Sequence, residues 1–379
     1  MAGGKNREPI VVAQIMGKWL GGGVEAVIMN YYRHIDRTKV QFDFICDEDS
    51  TNIPYEEIEK LGGHVILCPP YQKLFRYMKF LKNLFREKKY RIVHSNINTL
   101  SVFPLKAAKK AGISVRIAHA HATTNKKELV RNAIKQVLRH FSRKNANVFM
   151  CCSETAGRFQ FGDKNYKNVI LLKNAIDTNR FTFDKKVRDE YRKALGVDDG
   201  TLVVGNVGRL VKTKNQLFLV EVFAELSKKQ NAKLVLIGSG PDELIIRNSI
   251  SKNNIEDKVV MLGRRDDIEK WYQAFDIYVA PSLYEGFGLS ILEAQASNLP
   301  CVVSSAIPRD VAMNDSECAF LPLSDGKQEW AKIILDKKQE DTRKNNGIVI
   351  RKAGFDINDV AQTLANVYLE KIGGAICQR

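Results

Sequence analysis

From Ile10 onward, short runs of apolar and β-branched residues alternate with longer segments in which apolar side chains recur every third or fourth position. The first series reads IVVAQI (10–15), VQFDFIC (40–46), HVILC (64–68), RIVHSN (91–96), VRIAHAH (115–121) and NVFMCC (147–152). A second series starts at Leu202 with LVVGNVG and continues with KLVLIG (233–238), KVVMLG (258–263), DIYVAP (276–281) and CVVSS (301–305). Runs this short and this apolar suit strands covered on both faces, and the amphipathic segments between them suit crossover helices. The pattern therefore predicts an α/β chain with two doubly wound parallel sheets. Expected divisions are a tail over 1–9, a first domain over 10–175, a second over 176–355, and a closing segment 356–379. That last segment holds an amphipathic helix, expected to return to the first domain, and a short tail. The boundary between domains is placed within 173–183, after the first series has ended and before the second begins.

Composition adds limits to this picture. The chain has 379 residues, too many for one ordinary core, and is 44% hydrophobic and 27% charged, as in a soluble globular protein. No uncharged apolar run approaches the roughly 18 residues of a membrane span, and the amino end lacks a signal peptide's apolar core, so a cytoplasmic location is expected. The seven cysteines show no CxxC spacing and sit mostly in apolar runs, which suits reduced core residues better than disulfides or zinc ligands. Charge is unevenly divided. Residues 1–175 hold 30 Lys+Arg against 14 Asp+Glu, whereas residues 176–379 hold 29 of each. The whole basic excess lies in the first half, which points to an anionic partner there: a membrane surface, nucleic acid or a phosphorylated acceptor.

Candidate chemistry gathers where predicted strands end. DIYVAP passes through Pro281-Ser-Leu-Tyr-Glu285-Gly286-Phe287-Gly288 into a helical pattern with Leu289, Ser290 and Glu293. A glycine-rich turn at a helix start offers unpaired N–H groups and the positive end of the helix dipole to an anion. Two carboxylates, Glu285 and Glu293, can accept hydrogen bonds from hydroxyls beside it. The second series opens with Gly205-Asn-Val-Gly208-Arg209-Leu-Val-Lys-Thr-Lys214, two cations suited to a diphosphate. Gly238-Ser-Gly240-Pro241 makes another strand-to-helix turn, and Arg264 follows a third strand at the same expected edge. In the first half, Gly21, Gly22 and Gly23 precede a helix, without the GxGxxG spacing of a dinucleotide site. His119 and His121 fall at the carboxyl end of their strand and point to one side of it. With no third ligand nearby, no metal is expected, and the preferred role is hydrogen bonding to a substrate hydroxyl or electrostatic help near a reacting centre. Two segments combine bases with apolar residues at helical spacing. In 71–89 these are Lys73, Arg76, Lys79, Lys82 and Arg86; in 127–143 they are Lys127, Arg131, Lys135, Arg139 and Arg143. Basic amphipathic helices of this kind hold soluble enzymes on anionic lipid, so these segments, with Lys127, Arg131, Lys135, Arg139 and Arg143, are expected to face a membrane.

Taken together, the Gly-Gly-Val-Glu after the first strand, the His119/His121 strand, Asn174-Ala-Ile-Asp177-Thr-Asn-Arg-Phe181, Gly208-Arg209-Leu with Lys214, Gly238-Ser-Gly-Pro and the two-glutamate turn resemble glycosyltransferase family 4. Among its members the chain most resembles bacterial enzymes of capsular and exopolysaccharide synthesis. The resemblance covers roughly residues 10–372. It implies a GT-B fold, two Rossmann-like domains facing a cleft, with the acceptor mostly on the first and the nucleotide sugar mostly on the second. It further implies no required metal or cofactor, a nucleotide-diphosphate sugar as donor, expected to be UDP-linked, and retention of anomeric configuration.

By the same resemblance Glu285 would hold hydroxyls of the donor sugar and Glu293 the ribose. Arg209 and Lys214 would neutralise the leaving diphosphate, with help from the backbone around Leu289 and Ser290. Gly22 and Gly23 would close over the phosphates, and His121, with His119 as second choice, would stand beside the sugar and acceptor. Gly208, Arg264, Gly286, Phe287 and Gly288 complete the expected donor site. Three positions depart from the family pattern: Asn215 and Asn298 where glycine is usual, and Ser304-Ser-Ala-Ile-Pro308 without the usual Gly-Gly. The expected activity is transfer of a hexose to a lipid-linked or glycan acceptor at the inner membrane face. Rival readings are a basic nucleic-acid-binding α/β protein, a dehydrogenase, and a non-catalytic glycan-binding relative. The missing GxGxxG counts against the dehydrogenase, and the intact Glu285, Glu293, Arg209 and Lys214 count against the last.

Overall fold

Every strand-length apolar run named above forms a strand, most of them because they are apolar on both faces and only a sheet covered on both sides buries them; HVILC and KVVMLG, at the sheet edges, are less buried. The computed structural model describes residues 8–121, 136–139, 141, 143–314, 317–337, 343 and 347–376. Its first seven strands are β1 (Ile10–Gly17), β2 (Val40–Asp47), β3 (His64–Cys68), β4 (Ile92–Ser95), β5 (Val115–Ala120), β6 (Val148–Cys151) and β7 (Ile170–Leu171). They form one parallel sheet in the order β3-β2-β1-β4-β5-β6-β7. The second sheet contains β8 (Leu202–Val207), β9 (Ala232–Ile237), β10 (Val259–Gly263), β11 (Ile277–Ala280), β12 (Cys301–Ser304) and β13 (Cys318–Leu321). It too is parallel, in the order β10-β9-β8-β11-β12-β13. Both orders reverse direction once, beside the first strand of each sheet, which is the doubly wound topology. β7, only two residues long, and β13 are sheet edges that the pattern misses.

The second sheet shows why the strands read as unbroken apolar runs. Val203, Val235, Ile237, Tyr278, Ala280, Cys301 and Val303 enter one core. Their neighbours Leu202, Val204, Leu234, Leu236, Ile277, Val279 and Val302 enter another, on the opposite face. Side chains alternate with period two, and both faces are covered by helices. Each large aliphatic side chain so buried contributes roughly 1.5–3 kcal/mol.

The chain divides into two compact units, one running to Ala175 and resuming at Ile357, the other covering Ile176–Asp356. The last helix, Ile357–Ile376, is thus part of the first unit, where Tyr368 is fully buried and meets Phe42 edge-on at 6.1 Å. In the second unit the two crossing passages run side by side: Ile176 pairs with Asp356, and the Thr178 hydroxyl donates to the Asp356 carboxylate at 2.7 Å. The six described cysteines are buried, with no disulfide among them.

Candidate functional site

In the second unit the sheet reverses between β8 and β11, so the loops leaving these adjacent strands, 208–215 and 281–288, open side by side. This is where open α/β sheets bind ligands. Backbone and side chain tie the two loops: Leu283 N–H donates to the Thr213 carbonyl at 2.8 Å, and Asn215 Nδ2 to the Pro281 carbonyl at 3.1 Å. Across them Lys214 Nζ meets Glu285 Oε1 at 2.5 Å, with the side chains 24% and 11% exposed. Ser282 Oγ donates to the same oxygen at 2.9 Å. Two of the residues predicted to act on the donor are therefore brought together. Arg209 stands exposed in the same loop, while the Lys214 side chain lies over Gly208, where an added Cβ would meet its atoms at 3.6–3.8 Å.

The turn after β11 ends at Gly288, whose φ of +98° belongs to the left-handed region that favours glycine. It caps the helix Leu289–Ala296, and its carbonyl accepts from Ile291 N–H at 2.9 Å. The N–H groups of Leu289 and Ser290, at the first two positions, have no partner within the helix by its geometry, an arrangement that suits an anion. Gly286 lies in this turn. The Phe287 side chain goes into the core, stacked on Phe355 at 5.2 Å, so it anchors the turn and only its backbone is left to a donor.

Glu293 lies one turn further along. The Tyr272 hydroxyl donates to its Oε2 at 2.9 Å and also lies 3.0 Å from the Ser290 carbonyl. Beside it the Tyr278 hydroxyl sits 3.1 Å from the Val207 carbonyl and 2.9 Å from Ser290 Oγ. Burial raises the Glu293 carboxyl from its ordinary 4.5 to about 7, opposed by the Tyr272 hydrogen bond and by the positive charges of Arg180 and Lys214. A buried carboxyl displaced this far from its ordinary value is a candidate functional position.

Two of the departures from the glycine pattern now have a reason. Asn215 and Asn298 have φ of +57° and +53°, the left-handed conformation for which glycine is favoured and which asparagine tolerates best among the other residues. The backbone path is the same with either residue. Gly240 is fixed by close approach: a Cβ there would fall 2.1 Å from the Leu210 carbonyl oxygen, because the loop after β9 supports the one carrying Arg209. Leu210 N–H donates to Ser239 and Asp242 N–H to Leu210 across this seam. Arg264, after β10, borders a shallow depression with Arg265, Asp266 and Glu269.

In the first unit Gly22 caps the helix Gly23–His34. The Glu25 carboxylate lies over Gly22, where a Cβ would meet it at 3.0 Å, and accepts from Leu20 N–H at 3.1 Å; Gly23 has open space above it. His119 and His121 are buried, with ring centroids 3.9 Å apart. Among the described residues no three His, Cys, Asp or Glu are grouped as metal ligands. Of the basic series, Lys127, Arg131 and Lys135 lie outside the described residues. Arg139 and Arg143 are half-buried and donate to the Phe159 and Phe161 carbonyls at 3.0 and 3.2 Å.

Sequence reasoning missed Tyr272 and Tyr278, which position Glu293 and Ser290 from 21 and 12 residues away, and the pairing of Ser282 with Glu285, for which a hydroxyl three residues before the acid was the available signal. His94 also escaped notice, although it lies in the run RIVHSN on the strand beside that of His119 and joins it at 3.0 Å.

Comparison with known proteins gives these features a family. Residues 187–346 match the profile described as "Glycosyl transferases group 1", and residues 21–180 match "Glycosyltransferase Family 4". The "Putative glycosyltransferase EpsF" of Bacillus subtilis is 33% identical over 357 residues, spanning 92% of this chain and 93% of that one. The UDP-Gal:alpha-D-GlcNAc-diphosphoundecaprenol alpha-1,3-galactosyltransferase of Escherichia coli is 26% identical, over 78% and 79% of the two chains. Among solved structures, Anabaena HepE in complex with UDP-glucose superposes with a TM-score of 0.77 at 20% identity, covering 95% of this chain and 100% of that one, a likeness of fold. With two doubly wound parallel sheets and a relative matched over nearly its whole length, the chain belongs to the group 1 and family 4 glycosyltransferases and is a hexosyltransferase of the GT-B fold class.

Proposed function

We propose that the chain transfers a hexose or N-acetylhexosamine from a UDP-linked donor to a lipid-linked or glycan acceptor in bacterial surface polysaccharide synthesis, with retention of anomeric configuration. The observation that carries this reading is the pairing of Lys214 with Glu285 beside the open N–H groups of Leu289 and Ser290. Cation and helix start suit a diphosphate, and the carboxylates suit hydroxyls. In the reaction the bond from the anomeric carbon to the diphosphate breaks while the acceptor oxygen bonds to that carbon on the same face. The acceptor's proton passes to the departing diphosphate oxygen. Arg209, Lys214 and the helix N–H groups stabilise the growing negative charge, and no protein nucleophile is used. The names of the relatives support the choice of substrates: HepE was solved with UDP-glucose, and the E. coli relative is named for a UDP-galactose donor and a diphosphoundecaprenol-linked acceptor.

The first unit takes the acceptor side in this reading, with its basic surface resting on anionic lipid at the inner face of the membrane and no nucleic acid as partner. The helix Leu74–Lys88 supports it: Phe75 is 93% exposed, next to the exposed Arg76 and near Lys79. Among the described residues no helix is long and apolar enough to cross a membrane. The test is a thermal-shift panel of UDP-, GDP-, ADP- and TDP-sugars without added metal, on wild type and Glu293→Ala. UDP-sugars are expected to raise the melting temperature of the wild type alone; no shift with any nucleotide sugar, or an equal shift in the variant, refutes the reading. Charge reversal at Arg76 and Lys79 is expected to weaken sedimentation with phosphatidylglycerol vesicles and leave donor binding intact. Unchanged sedimentation would refute the membrane part.

A further inference from the structure

At the carboxyl ends of β1, β4 and β5 in the first unit, six polar side chains are buried together: Gln14, His94, Asn96, His119, His121 and, from the last helix, Tyr368. Their hydrogen bonds fix the direction of each proton. Gln14 Nε2 donates to the Tyr368 hydroxyl oxygen at 2.9 Å, so that hydroxyl gives its own proton to His94 Nδ1 at 2.7 Å. His94 then carries its ring proton on Nε2 and donates it to His119 Nδ1 at 3.0 Å. His119 is left with its proton on Nε2. On the other branch Gln14 Oε1 accepts from Asn96 Nδ2 at 3.0 Å, which turns Asn96 Oδ1 toward His121 Nε2 at 3.2 Å. His121 therefore also carries its proton on Nε2, and its Nδ1 is a bare acceptor.

Within this cluster two buried atoms have no partner among the described residues: His119 Nε2, a donor by this logic, and His121 Nδ1, an acceptor. Buried polar atoms are nearly always paired, and these two lie on rings whose centroids are 3.9 Å apart and tilted by 36°. A hydroxyl is the smallest group that accepts from one and donates to the other. We propose that His119 and His121 form a donor–acceptor pair for a single hydroxyl, and that Tyr368 and Asn96 are the positioning residues that fix the two tautomers. Burial supports the neutral rings this requires, pushing His94 and His121 down to about 3 and His119 well below its usual value. The hydroxyl belongs to a substrate sugar or to a bound water; the first assignment rests on the glycosyl-transfer reading, the pair itself does not.

The test uses the full chain labelled with ¹⁵N-histidine, whose six histidines can be assigned by single His→Gln variants. Long-range ¹H–¹⁵N correlation at pH 7 is expected to show His94, His119 and His121 neutral and protonated on Nε2. Any of the three charged or protonated on Nδ1 overturns the inference, as does a His119 Nε2–H with the shift of an unbonded imidazole. Tyr368→Phe removes only the hydroxyl and is expected to give mixed tautomers at His94 and His119 while sparing His121; Asn96→Leu is expected to do the reverse. Unchanged tautomers in these variants overturn the positioning roles. Adding UDP-glucose and an acceptor lipid extract separates the sources: movement of the His119 and His121 signals assigns the hydroxyl to substrate, and fixed signals with a protected Nε2–H assign it to water. Where substrate is the source, single-turnover transfer by Tyr368→Phe is expected to fall about tenfold, the effect of about one lost buried hydrogen bond, at unchanged donor affinity. The tautomer spectra need no turnover, so absence of transfer would defeat the activity reading without touching this one.

Discussion

Replacing Glu293 by glutamine is expected to stabilise the second unit while weakening donor binding. The carboxyl sits among Tyr272, Ser290 and the core beneath the helix start, where burial lifts it from 4.5 to about 7. At about 1.4 kcal/mol per pH unit, that difference is about 3 kcal/mol. The sign follows from linkage. A carboxyl whose folded pKa lies above its unfolded one contributes most favourably below pH 4.5, and that contribution is lost as pH rises through 7. Glutamine has nearly the same shape, keeps an oxygen for the Tyr272 hydroxyl and carries no charge to desolvate. Urea unfolding of wild type and Glu293→Gln between pH 5 and pH 8 measures the difference. The variant should gain up to about 3 kcal/mol at pH 8 and little at pH 5, with the change falling between, while UDP-sugar affinity drops about tenfold or more. A variant no more stable than wild type at pH 8, or a difference independent of pH, would falsify the account of Glu293 as a desolvated acid. Gain in stability with loss of binding is the exchange expected at a site shaped for a ligand.

The supporting contacts give three more expectations. Lys214→Met removes the cation paired with Glu285 and is expected to lower transfer by about 100-fold or more, seen as a fall in kcat/KM with the circular dichroism spectrum unchanged. Gly240→Ala drives a Cβ to 2.1 Å from the Leu210 carbonyl oxygen and is expected to cost about 1–3 kcal/mol in urea unfolding and to loosen the Arg209 loop. Asn298→Gly relieves a φ of +53° and a buried side-chain oxygen with no partner among the described residues, and should raise stability by roughly 1 kcal/mol; a loss would mean the asparagine side chain does more than occupy a left-handed turn.

How much of this was legible beforehand depends on how local the cause is. The eleven apolar runs from IVVAQI to CVVSS became strands, most of them because burial on both faces leaves its mark on every residue of the strand. The turn at 281–288, the loop with Arg209 and Lys214, and the two glutamates were likewise readable, since a helix start needs its glycine and cap within a few residues. Chain order even placed them at one edge, because parallel strands end at the same side of a sheet. Only the folded chain decided which groups touch: that Lys214 pairs with Glu285, that Tyr272 holds Glu293, that Phe287 turns inward, and that Tyr368 reaches Gln14 and His94 from hundreds of residues away. Side-chain pairing across a core depends on strand order and packing, which short-range patterns do not encode. The proton states of Glu293 and the three buried histidines follow from that packing as well, because a pKa responds to burial and neighbours and not to the residue's place in the sequence.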